Sequence, residues 1–163
     1  MVLGPTSVTV KAYAVCSTVL YTKFFASTWI QGGKTFKAGN RAPEDAKLSV
    51  AKKMPKQTYG LVPADPSDAR LARAREEERR WKAIITNDVE SMPLALLVFA
   101  AGIFAEANES VQVGAMAVYT VARIGHTFAF AHSKQPHRSI FWFAGVVCIF
   151  VGAGNTLVKV LAN

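Results

Sequence analysis

The sequence predicts an all-α integral membrane protein, a four-transmembrane-helix bundle, and three observations lead there. Of the 163 residues 51% are hydrophobic, yet the formal net charge is +8. A soluble globule reconciles those two facts poorly; a membrane protein with its charge in loops reconciles them directly. The charge is indeed concentrated, with 13 of the 19 Lys and Arg lying between Lys34 and Lys82. Four stretches carry apolar runs of about the 20 residues needed to cross a bilayer, with polar segments between them.

The first run, about 8–30, reads as a retained helix rather than a signal peptide, because Lys11 and Lys23 fall within it and no basic segment precedes it. Lys11 is expected to snorkel toward the membrane surface, and Lys23 to do the same, with pairing to an acid on another helix as its alternative. From Gln31-Gly32-Gly33 the chain is expected to leave the membrane for a basic, irregular loop to about residue 68, broken by Pro43, Pro55, Pro63 and Pro66. Ser67 or Asp68 caps the second helix, about 69–105. It begins as a charged, solvated extension with i,i+4 pairs such as Glu76 with Arg80, and passes an interfacial Trp81. It then enters the membrane near Asn87, with Pro93 as a weak point. A short turn over 106–110 leads to helix three, about 111–131, and Ser133–His137 to helix four, about 138–161. Gly145, Gly152 and Gly154 permit close approach of neighbouring helices. The whole forms a single membrane domain. The positive-inside rule puts the 34–82 segment and the 133–138 turn in the cytoplasm, with both termini across the membrane.

Several function classes fall away. Glu76-Glu77-Glu78 interrupts the basic run and no nucleic-acid-binding motif accompanies it, so an anionic leaflet is the better partner for the charge. Cys16 and Cys148 lie in apolar runs and read as ordinary buried thiols, excluding a zinc cluster or disulfide framework.

Polar residues inside the membrane carry the functional signal. Asn87, Glu90, Ser91 and Leu94 share one face of helix two, and Arg123, His126, Thr127 and Phe130 one face of helix three. Arg138 and Ser139 open helix four. By topology all three groups lie toward the cytoplasmic side. Arg123 needs a neutralising partner, Glu90 or Asp88. The cations outnumber the acids, so a pocket there prefers an anion; purely structural interhelical ion pairing is the competing reading.

Three motifs, Asn87-Asp88-x-Glu90, Ala122-Arg123-x-x-His126-Thr127 and Gln135-Pro136-x-Arg138-Ser139, resemble in order and spacing the MAPEG proteins, membrane-associated proteins of eicosanoid and glutathione metabolism. Within them the chain looks most like microsomal glutathione transferase and microsomal prostaglandin E synthase. Cys16-Ser17-Thr18 with Lys23, and Pro43-Glu44-Asp45, extend the resemblance toward the N-terminus; residues 46–80 align poorly.

The resemblance implies a homotrimer in the endoplasmic reticulum or another organellar membrane, with glutathione as co-substrate bound between subunits. Carried over by position, Asn87, Glu90 and His126 hold glutathione, Arg123 belongs to the same polar set, and Lys34 loosely matches a basic residue at the end of helix one. Arg138 and Ser139 sit beside the sulfur as the catalytic pair. The implied activity is conjugation of glutathione to hydrophobic electrophiles drawn from the lipid, or reduction of lipid hydroperoxides. Three departures stand out: Thr86 replaces a basic residue, Phe130 an aromatic hydroxyl, and Trp142 another aromatic position. The alternative is a catalytically impaired scaffold or accessory subunit of a larger membrane complex, docking through the long 34–82 segment.

Overall fold

The computed structural model describes residues 7–63 and 67–162, so Pro66 of the expected loop lies outside the described residues. Four α-helices follow in order, α1 (Val8–Lys37), α2 (Ala69–Phe104), α3 (Glu109–Ala131) and α4 (His137–Leu161), with short 3₁₀ turns at Pro43–Lys47 and Ser49–Ala51. No strand occurs among the described residues. The chain divides into two compact units, one built from residues 7–24 and 87–162, the other from residues 25–63 and 67–86.

The first unit contains α3, α4 and the adjoining parts of α1 and α2. Leu20, Met92, Ala95, Phe99, Met116, Tyr119 and Cys148 form its buried core, with Phe99 edge-on to Tyr119 at 5.6 Å between ring centroids. Gln112 is buried and bonded at both ends of its amide: its Nε2 donates to the Phe99 carbonyl at 2.9 Å, and Asn155 Nδ2 donates to its Oε1 at 3.1 Å. Asn108 Oδ1 accepts from the Val111 N–H at 3.1 Å and caps α3. On α4, Phe143, Phe150, Val158 and Leu161 point outward and exposed. An apolar exterior around bonded ionisable groups inverts the pattern of a soluble protein. Two of the helices, α2 and α4, are long and apolar enough to cross a membrane.

Close helix approach falls at one of the three expected glycines and at others besides. Of Gly145, Gly152 and Gly154, only Gly152 is tightly met: a Cβ there would lie 2.9 Å from the Phe99 ring, while Gly154 faces open space. Gly125, not singled out above, is tighter still, with Phe141 at 2.6 Å. Gly152→Ala is therefore expected to destabilise by about 1–3 kcal/mol through overpacking. Gly154→Ala is expected to be neutral or stabilising by up to about 1 kcal/mol, the helix-propensity gain alone. Thermal unfolding of the two variants in detergent checks the contrast.

The second unit corrects the expected start of the loop. Helix α1 does not stop at Gly32-Gly33 but continues to Lys37. The helical signal there is tertiary: Phe36 is buried, Lys34 Nζ donates to Glu77 Oε2 at 2.6 Å, and Gln31 Nε2 donates to Thr35 Oγ1 at 2.7 Å. Gly39, at φ +72°, ends the helix instead. The Gly39 N–H bonds the Phe36 carbonyl and the Asn40 N–H the Thr35 carbonyl, closing a Schellman turn. The following segment is ordered by Gln57, whose Nε2 donates to the Phe36 carbonyl at 3.1 Å while its Oε1 accepts from the Arg41 N–H at 3.1 Å. Asn40 Nδ2 donates to the buried Glu78. Asp68, rather than Ser67, supplies the side-chain cap of α2, accepting from the Leu71 N–H at 2.9 Å.

Candidate functional site

Two cations of the first unit, Lys23 and Arg123, converge on Asp88. This carboxylate is fully buried. Its Oδ1 accepts from Arg123 Nη2 and its Oδ2 from Lys23 Nζ, both at 2.5 Å. Arg123 Nη1 in turn donates to Asn87 Oδ1 at 2.8 Å. One contact differs from the sequence reading and another decides between the two partners it offered. Lys23 does not snorkel: a carboxylate within reach removes the need, because a paired buried ammonium costs far less than an unpaired one. The partner of Arg123 is Asp88 and not Glu90. Positions 88 and 90 differ by about 200° around a helix of 3.6 residues per turn, and the side that takes Asp88 inward leaves Glu90 exposed.

Asn87 also lines a pocket of about 410 Å³, together with His126, Phe130, Arg138, Ser139 and Trp142. The i,i+4 spacing of His126 and Phe130 on α3 puts both rings on one face, edge-on at 5.7 Å. The Arg138 guanidinium lies over the Phe130 ring, 4.5 Å from its centroid. It is fixed from its other side by Gln135, one turn earlier in the chain. With the Gln135 amide in the orientation that satisfies both of its ends, its oxygen accepts from Arg138 Nη2 at 2.6 Å and Nε at 3.1 Å, and its nitrogen donates to Ser139 Oγ at 3.1 Å. Arg138 Nη1 and the Ser139 hydroxyl proton take no part in these contacts. Gln135 is the residue sequence reasoning did not assign; its spacing of three and four from Arg138 and Ser139 was the available signal.

The charge balance suits an anion. Asp88 neutralises one of Lys23 and Arg123, and Arg138 has only an aromatic face and an amide beside it, so the constellation is net cationic. Among the described residues, buried His126 Nδ1, Thr127 Oγ1 and Arg123 Nε lack a hydrogen-bond partner. Buried polar atoms are rarely left so; of these residues His126 lines the pocket, and Arg123 bonds Asn87, which also lines it. A polar ligand carrying carboxylates and amides fits such a set of groups.

The residues named from sequence thus fall into three groups. Asn87, His126, Arg138 and Ser139 line one pocket, and Arg123 holds Asn87 and Asp88. Glu90 does not line that pocket. Lys34 belongs to the second unit, where it is paired with Glu77. Of the three departures, Phe130 and Trp142 are pocket walls.

Residues 12–158 match the family model described as MAPEG family. No curated protein matches the chain.

Proposed function

Because this chain belongs to the MAPEG family, whose members are membrane-associated and use glutathione, we propose that it is a glutathione-dependent membrane transferase acting on hydrophobic electrophiles, or on lipid hydroperoxides through the same thiolate. The observation that carries this reading is the convergence of Asn87, His126, Arg138 and Ser139 on one net-cationic pocket. In this reading the molecule is a homotrimer of four-span subunits in an organellar membrane with its main basic segment cytoplasmic. Glutathione lies between subunits. Glu90, exposed on each protomer, completes the site in the trimer.

Glutathione supplies the nucleophilic sulfur and the chain supplies the field that ionises it. A thiol is a few per cent ionised at neutral pH, and a guanidinium beside it lowers its pKa toward neutrality. Arg138 is the group for that task, since it lines the pocket and Gln135 and Phe130 hold its guanidinium in place. Ser139 donates its hydroxyl proton to the same sulfur. Asn87 is fixed by Arg123 and presents its amide to the peptide portion of glutathione, with His126 adding a ring nitrogen. The thiolate then attacks the electrophilic carbon, forming the C–S bond as the leaving group departs with its electron pair. With a hydroperoxide it attacks the O–O bond, giving an alcohol and a sulfenic acid that a second glutathione reduces to water and disulfide. An electrophile dissolved in the bilayer reaches such a site without crossing water.

A second reading rests on Phe130. Its ring occupies the face of Arg138 and has no hydroxyl to offer a ligand, which favours a bundle retained as a membrane scaffold. Phe130→Tyr separates the two. On the enzymatic reading the added hydroxyl strengthens glutathione binding by roughly three- to tenfold, the worth of one hydrogen bond, measured by titration of the purified protein. A scaffold gains nothing from it.

A further inference from the structure

The second unit holds an open pocket of its own, about 460 Å³, whose charged walls are Lys37 at the end of α1, Lys53 after the second 3₁₀ turn, Asp68 capping α2, and Arg70, Arg73 and Glu77 on its first turns; the four cations are exposed. Four cations therefore face one space with two carboxylates, and both carboxylates are committed. Asp68 caps α2 through the Leu71 N–H, and Glu77 accepts from Lys34. Lys37, Lys53, Arg70 and Arg73 make no hydrogen bond or ion pair among the described residues, whereas Arg41, Arg80 and Lys82 in the same unit are each paired. The field in the pocket is felt by Glu77: its carboxyl is held below the ordinary value first by the hydrogen bond from Lys34, with further contributions from the charges of Lys37 and Arg73.

Gathering unpaired like charges costs repulsion that a multiply charged anion relieves. A phosphate monoester is well suited: it carries a charge of about −1.5 to −2 at neutral pH and three strong acceptor oxygens. Arg70 and Arg73 offer planar forks that match phosphate oxygens in pairs, and the lysines add point charges. The space is several times what a bare phosphate fills, and Met54 and Pro55 give it an apolar wall for the organic part of the ligand. We propose that this pocket binds a phosphate monoester or pyrophosphate group, carried by a lipid headgroup or by a soluble metabolite. The proposal stands on the second unit alone and does not depend on the glutathione reading.

The full-length chain in detergent micelles is titrated with inorganic pyrophosphate, with short-chain phosphatidic acid and, as a control lacking a monoester, with short-chain phosphatidylserine, following the thermal unfolding midpoint. A saturable rise with pyrophosphate assigns a soluble ligand; a saturable rise with phosphatidic acid alone assigns a lipid headgroup. Arg70→Gln with Arg73→Gln is expected to weaken the apparent affinity at least about tenfold, two charge-assisted contacts being lost. Lys47→Gln with Lys52→Gln, an equal charge loss outside the pocket, is expected to change it less than about twofold. Lys53→Gln gives the same reading if the arginine pair variant does not fold. No saturable response to either phosphate compound, an equal response to phosphatidylserine, or equal losses in the two double variants would each overturn the site.

Discussion

Asp88→Asn is expected to be the most destabilising single substitution in the protein, by about 3–5 kcal/mol, the cost of leaving a buried ion pair without one partner. Here the removed charge serves two cations. Arg123 is 1% exposed and Asp88 0%, and the Lys23 side chain is 10% exposed, so water does not take over the carboxylate's role. An asparagine keeps one acceptor oxygen and turns its amide nitrogen toward a cation. Loss of the unfolding transition, or of monodisperse protein in detergent, reads the effect. Lys23→Met added to Asp88→Asn recovers part of the loss, because one of the two stranded charges goes with it. Glu90→Gln, two residues away but exposed, is expected to shift stability by no more than about 0.5 kcal/mol.

Arg138→Ala has the largest expected effect on chemistry. The protein remains folded, since Arg138 is only half-buried and its contacts are to Gln135 and Phe130 at the end of α3 and the start of α4. The turnover of a glutathione-dependent reaction falls by about 100-fold or more, the cost of removing one preorganised donor from a developing or standing anion. The ultraviolet thiolate band disappears at neutral pH and returns in alkali, because the sulfur's pKa rises toward that of free glutathione. Arg138→Lys keeps the charge but loses the fork held by Gln135, so it restores part of the band and little of the rate. Unchanged activity in Arg138→Ala would remove Arg138 from the catalytic role.

Much of this arrangement is legible in the sequence, and the misses have physical reasons. Helical spacing places His126, Phe130 and Arg123 on one side of α3, and the alternation of helices brings Asn87 and Arg138 to the same end. Those inferences need only periodicity and topology. The partner of Lys23 is not legible in this way. A lysine in an apolar run has two solutions, snorkelling or pairing, and the choice depends on which face of another helix it meets. The same limit applies to Asp88 against Glu90: both lie near Arg123 in sequence logic, and only packing decides which one turns inward. The true end of α1 was hidden because Gly32 and Gly33 look like a stop signal. Their cost in a helix, about 1 kcal/mol each, is outweighed by Phe36 burial and the Lys34–Glu77 pair. Gln135 was visible as part of a motif, yet its task, orienting Arg138 and Ser139 together, depends on the conformation of the turn before α4.

The central claim is that the pocket of Asn87, His126, Arg138 and Ser139 binds glutathione and ionises it. Its most direct test is a titration of the detergent-purified protein with glutathione, recorded as an ultraviolet difference spectrum near neutral pH. Saturable binding with a thiolate band that vanishes in Arg138→Ala is the predicted result. Absence of binding at millimolar glutathione, or binding in which the thiolate band is indifferent to Arg138, would contradict it.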